Sequence, residues 1–370
     1  MAGIYIHIPF CFSRCGYCDF FKSTKLDRID SFLKSLKREI VYYSPYFKKT
    51  INTLYFGGGT PSLLSIDIYS EILELLKDNY HFSKDVEITI ETNPDDLNQK
   101  YIDGLLSVGF NRISIGIQSF NDFDLQKMGR RHNATQSLAA LNYAYKGGFK
   151  NIGIDLIYGL PWSDGSAFKE NLSIIKTVSI NHLSAYHLSF EEGTPFYNLL
   201  KQGIYTEIND VESFNQYEML CTFASDNGFE HYEVSNFSKP GYRSRHNSSY
   251  WNGIPYLGFG PGSHSYYDGK RKWNKSDLSL YDNDNWTLIV EQEFLADSDL
   301  FNETVMLGLR TCDGINLNFL QIKFPEFYSS FYKKSNKWID KGYLYIKNNR
   351  IICREKFWLV VDTVIKDLFI

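Results

Sequence analysis

The sequence predicts an α/β chain, a partial and open (β/α)6 barrel of parallel strands followed by a small helix-and-hairpin module. Three observations predict it. Six short runs rich in β-branched and aromatic residues recur through the first half, separated by segments with helical apolar spacing. Polar or glycine-rich residues stand at the carboxyl end of each run. The alternation stops near Asn236, and a helix-helix-hairpin-helix order takes over near Asp297.

The strand runs are Gly3 to Ile8, Thr53 to Gly57, Val86 to Thr92, Arg112 to Ile117, Asn151 to Tyr158 and His182 to Phe190. Helical spacing occupies Ile29 to Val41, Ile66 to Leu76, Gln99 to Val108, Thr135 to Lys146 and Ser166 to Thr177. Such alternation implies parallel strands with right-handed crossovers. Only six units are visible, so the barrel is expected to stay open. Chemistry in such barrels sits on the loops at the carboxyl ends of the strands. Here those ends carry Cys11, Cys15 and Cys18, then Gly57-Gly58-Gly59-Thr60-Pro61, then Glu91, Gln118, Asp155 and His187.

Residues 237–296 read as a connecting segment rich in glycine, proline and aromatics, through Tyr250, Trp251, Gly253, Pro255, Gly258, Gly260, Pro261 and Gly262. That aromatic content argues for a folded segment and against a floppy linker. Residues 297–370 carry helical patterns at Leu300 to Leu309 and Phe327 to Lys341. A hairpin follows, Tyr343 to Ile346 and Ile351 to Arg354, turning at Asn348-Asn349, and a last helix runs from Phe357 to Phe369. The order resembles a winged helix. Its slight basic excess favours an interaction or lid role over DNA binding. The division expected is thus a core of residues 1–236, the connecting segment 237–296 and a winged-helix-like α+β module 297–370.

Composition narrows the function. Hydrophobic residues make up 43% and charged residues 22%, as in ordinary globular domains. With 39 basic and 43 acidic residues the formal charge is −4, which leaves no electrostatic footprint for nucleic acid. No stretch approaches a transmembrane span, and the N-terminus lacks the charged start and apolar run of a signal peptide. A cytoplasmic protein is expected. Three of six cysteines crowd into eight residues while Cys221, Cys312 and Cys353 are scattered, a pattern that argues for a metal centre rather than a disulfide framework.

The crowded set, Cys11-Phe12-Ser13-Arg14-Cys15-Gly16-Tyr17-Cys18, has the spacing C-x3-C-x2-C. Thiolates are soft ligands suited to zinc or to iron-sulfur clusters. A structural zinc normally takes four protein ligands, and no fourth Cys or His follows closely. Three thiolates on a four-iron cluster would leave one iron open. This motif after a first barrel strand, with an aromatic before the last cysteine, resembles the radical S-adenosylmethionine (SAM) signature. A zinc loop stays the alternative.

The resemblance narrows with Tyr5-Ile6-His7-Ile8-Pro9-Phe10-Cys11, Gly57 to Pro61, Glu91-Thr92-Asn93-Pro94, Gln118-Ser119-Phe120 and Asp155-Leu156-Ile157-Tyr158-Gly159-Leu160-Pro161. Together they resemble the oxygen-independent coproporphyrinogen III oxidase group, including its heme-chaperone branch, HemW, over nearly the whole chain. The resemblance implies a 4Fe-4S cluster on Cys11, Cys15 and Cys18. It implies SAM at the open iron, with contacts from Tyr5, Tyr17, Gly58, Gly59, Thr60 and Glu91, and from Gln118, Arg130 and Asp155, which match positions that hold a second SAM in the oxidase. The blander alternatives are a rim hydrogen-bond network for Glu91, Gln118 and Asp155 and a solvated pair for Arg130-Arg131.

Two departures from the oxidase pattern put porphyrinogen decarboxylation in doubt. Phe20 stands where the oxidase continues with a further cysteine, and Tyr5 lies almost at the start of the chain, without the oxidase's N-terminal extension. His246-Asn247-Ser248-Ser249-Tyr250-Trp251 reads H-N-x-x-Y-W, which resembles the heme-associated motif of the chaperone branch and makes His246 a candidate heme ligand. His264 is a second candidate. The expected function is a heme chaperone that passes heme, as cargo, to an acceptor protein the sequence does not name; the alternative is a radical SAM oxidative decarboxylase of coproporphyrinogen III. Neither nucleic acid nor a membrane span is expected, a homodimer is one option for the assembly, and no catalytic residue is assigned.

Overall fold

A computed structural model describes residues 1–282 and 289–370; the rest of the connecting segment, residues 283–288, lies outside the described residues. Strands and helices run in the order β1 (Ala2–Ile8), α1 (Ile29–Tyr43), β2 (Ile51–Gly58), α2 (Ile66–Asn79), β3 (Phe82–Thr92), α3 (Gln99–Val108) and β4 (Arg112–Gln118). Next come α4 (Asp122–Met128), α5 (Ala134–Gly147), β5 (Asn151–Tyr158), α6 (Ser166–Ile175) and β6 (His182–His187). β1 to β6 are hydrogen-bonded in chain order and every neighbouring pair is parallel, which is the expected partial (β/α)6 barrel.

Strand alternation sorts the side chains. Ile4, Ile6, Leu54, Phe56, Ile88, Ile90, Ile113, Ile115, Ile152 and Ile154 are buried outward under the helices. The opposite face of the same strands carries Tyr5, His7, Thr53, Tyr55, Glu87, Glu91, Arg112, Ser114 and Asp155, so the barrel interior is polar. Asparagine caps start the outer helices where the sequence offers them. Asn98 accepts from Tyr101 N, and Asn133 forms a reciprocal capping box with Gln136.

The chain after the sixth strand closes both sheet edges. α7 (Pro195–Lys201) and α8 (Asp210–Asp226) lead to β7 (Glu230–Glu233) and β8 (Asn236–Ser238), which adds antiparallel to β6. After α9 (Arg245–Trp251), β9 (Tyr256–Phe259) joins β1 in parallel. β10 (His264–Tyr267), β11 (Lys270–Asn274), α10 (Leu278–Asp282) and β12 (Val290–Phe294) follow, and the strands extend that edge to give twelve in one sheet. A buried carboxylate fastens this extension to the barrel. Glu39 of α1 accepts from Gly260 N at 2.9 Å, Asn274 Nδ2 at 2.7 Å and Tyr281 OH at 2.6 Å, so its desolvation is offset by three donors.

The C-terminal part comprises α11 (Asp297–Leu309), β13 (Ile315–Asn316), α12 (Leu317–Lys323), α13 (Pro325–Asp340), β14 (Leu344–Lys347), β15 (Arg350–Cys353) and α14 (Val361–Leu368), preceded by a 3₁₀ turn at Glu355–Val360. The expected hairpin is present. Asn348 and Asn349 both take left-handed φ values, 49° and 57°, as its two-residue turn requires. The short β13 and α12 carry too little periodicity to be read from sequence. No helix among the described residues is long and apolar enough to cross a membrane.

Candidate cofactor centre and adjoining cavity

The loop after β1 brings Cys11, Cys15 and Cys18 to the carboxyl rim, with Cys11 buried and the other two half-buried. They line a small cavity of ≈ 60 Å³ together with Tyr17, Gly59, Thr60 and Arg130. Besides the three thiols the lining holds no histidine, and its one carboxylate, Asp95, is paired with Arg131 at 2.6 Å. Three soft donors are one short of a structural zinc set and suit a cluster that keeps one iron open.

Polar contacts converge on the thiols. Thr60 Oγ1 donates to Cys11 Sγ at 3.4 Å, Arg130 Nη1 to Cys15 Sγ at 3.5 Å, and Lys22 Nζ to the Cys18 carbonyl. Arg130 is held by Asn93 Oδ1 at 2.7 Å and the Gly116 carbonyl at 2.8 Å. Its Nε is buried without a partner, an atom that a bound anionic or polar group would satisfy. Two glycines are sterically required. Gly58 has φ 111°, and a Cβ there would meet the His7 ring at 2.6 Å; at Gly59 a Cβ would lie 2.7 Å from the Phe10 carbonyl oxygen.

The remaining rim residues divide by depth. Gly58 N donates to Glu91 Oε2 at 3.1 Å and Tyr55 OH to Oε1 at 2.7 Å. Burial pushes the Glu91 carboxyl up to about 7, opposed by the Tyr55 hydrogen bond and reinforced by Asp155. Asp155 accepts from Ser114 Oγ at 3.2 Å and is also raised by burial, with Ser184 and the Arg112 guanidinium opposing. Gln118 sits at a left-handed φ of 65° where β4 ends. Tyr5 lies lower, with its ring 6.1 Å from that of Tyr55 and its hydroxyl 3.1 Å from His7 Nδ1. Of the residues singled out from sequence, Cys11, Cys15, Cys18, Tyr17, Gly59, Thr60 and Arg130 line the small cavity; Gly58, Glu91, Gln118, Asp155 and Tyr5 do not.

His246 lies at the other end of the barrel. α9 caps the amino ends of β1 to β3, with Arg245 N and His246 N donating to Glu87 at 3.1 and 3.0 Å. The His246 ring is 2% exposed, its Nδ1 is 2.9 Å from Thr53 Oγ1, and its Nε2 is 2.8 Å from Tyr250 OH. Burial, with the Arg112 charge adding, lowers its pKa to about 3. Both ring nitrogens are engaged in the barrel floor. The sequence motif therefore contributes a buried pin, and the side of α9 bearing Tyr250 and Trp251 faces outward into a second cavity.

That cavity, of ≈ 880 Å³, opens between the β9–β11 edge of the sheet and α11 and α12 of the C-terminal part. Its wall toward the three cysteines is the tail of their loop, Asp19, Phe20 and Phe21. Phe20 is 65% exposed, so the residue that departs from the oxidase pattern presents an aromatic face to this space. Sequence reasoning missed Asn93, Lys22 and Arg112 as site-shaping groups. Arg112 had a legible signal, a charge at an inward position of the alternating run Arg-Ile-Ser-Ile-Gly-Ile-Gln.

Residues 5–173 match the family model described as Radical SAM superfamily. The chain is 33% identical over 355 residues to the heme chaperone HemW of Lactococcus lactis subsp. lactis (strain IL1403), covering 95% of this chain and 93% of that one. It is 32% identical over 326 residues to the heme chaperone HemW of Bacillus subtilis (strain 168), covering 85% of each. Among solved structures, the coproporphyrinogen III oxidase HemN of Escherichia coli, a radical SAM enzyme, superposes with a TM-score of 0.85 at 22% identity, over 100% of this chain and 90% of that one. That likeness is one of fold.

Proposed function

The chain belongs to the radical SAM superfamily and, within it, to the HemW family, and from that premise we propose that it is a heme chaperone which binds heme and delivers it to an acceptor protein. The observation that carries the reading is the ≈ 880 Å³ aromatic-walled cavity joined to the three-cysteine loop by Asp19, Phe20 and Phe21. Its volume falls within the range of cofactor sites, about 300–1,000 Å³.

In this reading Cys11, Cys15 and Cys18 would hold a 4Fe-4S cluster with one iron open to SAM, and the bound cluster would supply an electron for reductive chemistry on SAM. Gly58 and Gly59 let the backbone approach the ligand, and Thr60 and Arg130 donate toward the cluster-binding thiolates. Tyr17 covers the site from the Phe196 side, and Glu91, Gln118 and Asp155, at the carboxyl ends of β3, β4 and β5, would supply acceptors toward a bound SAM. Tyr5 orders His7 beneath the rim.

The test is an anaerobic titration of cluster-reconstituted full-length protein with heme, followed by mixing with an excess of an apo-cytochrome b. Saturable Soret growth and subsequent passage of the Soret signal to the acceptor support the chaperone. Absence of saturable binding, together with conversion of coproporphyrinogen III to protoporphyrinogen IX under reducing conditions, would replace it by the decarboxylase.

A further inference from the structure

We propose that heme lies in the cavity between the sheet edge and the C-terminal module with its iron facing His264, and that a propionate pairs with Lys323. The proposal rests on the heme-chaperone reading above and assigns its cargo a place.

The cavity lining decides which side chain can reach an iron. His7 borders it, but Nε2 is 2.8 Å from the Phe21 carbonyl and Nδ1 is 3.1 Å from Tyr5 OH, so both nitrogens are engaged. His246 does not border it and is closed into the barrel floor. His264 opens β10, is exposed, and lines the cavity. Its ring stands against Trp273, its cross-strand partner, at 6.2 Å and 24°. No side-chain hydrogen bond engages that ring among the described residues, while His7, the other histidine lining this space, is engaged. A ring fixed by stacking with an open lone pair is what axial ligation of an iron porphyrin needs.

The walls fit a planar, largely apolar macrocycle. Phe20, Trp251, Tyr266 and Phe319 line the space, and Phe20 and Phe319 are left 65% and 45% exposed by the rest of the fold. Charge at the border is uneven. Arg271 is paired with Glu303 and Glu293, and Arg350 donates to the Asp313 and Gly314 carbonyls. Lys323 has no carboxylate partner among the described residues; its ammonium rests over Phe319 and Phe324, at 5.3 and 5.1 Å from the ring centroids. An acid group entering beside those rings meets an uncommitted cation. α11 and α12 of the C-terminal module form one wall of this space.

The experiment is an anaerobic heme titration of cluster-reconstituted full-length wild type, His264→Ala and Lys323→Glu, read by Soret absorbance. Iron content and melting curves serve as folding controls. Because His264 is exposed and unbonded, its variant is expected to fold and to load iron as wild type does. Expected are a shifted Soret maximum and at least a tenfold weaker affinity for His264→Ala, about 1.4 kcal/mol, with the wild-type spectrum restored by added imidazole. Lys323→Glu is expected to weaken binding while leaving the Soret position unchanged. Wild-type affinity and an unshifted Soret in His264→Ala would overturn this placement and leave the chaperone reading standing. Failure of wild type itself to bind heme would overturn both.

Discussion

Replacement of His246 by alanine tests the barrel floor. The ring bridges Thr53 Oγ1 and Tyr250 OH and is 2% exposed, so truncation removes two buried hydrogen bonds and leaves two hydroxyls facing a void. At roughly 1 kcal/mol per hydrogen bond and 1–3 kcal/mol for a stranded buried partner, plus a cavity term, the loss is about 3–5 kcal/mol. At 2–4 °C per kcal/mol for a large domain, the melting temperature falls by about 6 °C or more.

The same histidine gives the effect a pH signature. Its folded pKa, about 3, lies below the ordinary 6.5, so the native state favours neutral imidazole. The stability it contributes is present above pH 6.5 and is lost as pH falls toward 3, because the unfolded chain takes up the proton first. At pH 5 the wild type has lost roughly 2 kcal/mol from this group, and the alanine variant has lost none of it. Urea denaturation at pH 7.5 and pH 5 should therefore show the gap between the two proteins narrowing by about that amount. An unchanged midpoint at pH 7.5, or a gap that widens in acid, would refute the account of His246 as a neutral buried pin.

Three further outcomes follow from the site. Gly59→Ala sets a Cβ 2.7 and 2.9 Å from the Phe10 and Ile8 carbonyl oxygens, so the Cys11 segment must move; iron and sulfide per chain after reconstitution should fall several-fold, and full loading would contradict the required close approach. Glu91 is raised to about 7, so the stability it contributes is present below pH 4.5 and lost by pH 7; between pH 5 and 7 wild type should lose roughly 1.4 kcal/mol per pH unit relative to Glu91→Gln, and parallel pH profiles would remove the buried-carboxyl argument. Arg112→Leu strips the cation that opposes the upward shift of Asp155 and Glu91 inside the barrel, so both carboxyls should move further up and the loss of stability with rising pH should extend to higher pH, read from urea midpoints between pH 5 and 8; a pH profile identical to wild type would remove Arg112 as their counter-charge.

The barrel was legible because its evidence is local. Residues alternating along Gly3 to Ile8 or Arg112 to Ile117 report a buried outer face directly, and the helices between them carry their own caps. Boundaries shifted where polarity misled. β3 starts at Phe82, four residues before the expected Val86, because Phe82 pairs with Ile51 ahead of a register break and exposed Lys84 and Asp85 follow it; β6 stops at His187 where Phe190 had been expected. α8 went unread because its buried residues include Ser213 and Gln216, which blur its apolar stripe.

By itself the sequence determined the strand-helix order, the three-thiol loop with its glycine-rich neighbour, and the family resemblance, since each is a spacing along the chain. Tertiary structure alone decided that residues after Asn236 extend the barrel sheet, that Phe20 walls a large cavity, and that His246 is enclosed while His264 is open. The physical reason is that a histidine's role depends on which atoms lie within about 3 Å of its nitrogens. For His246 those atoms come from Thr53, 193 residues earlier, and Tyr250, four residues later, and only folding brings the first of them into place.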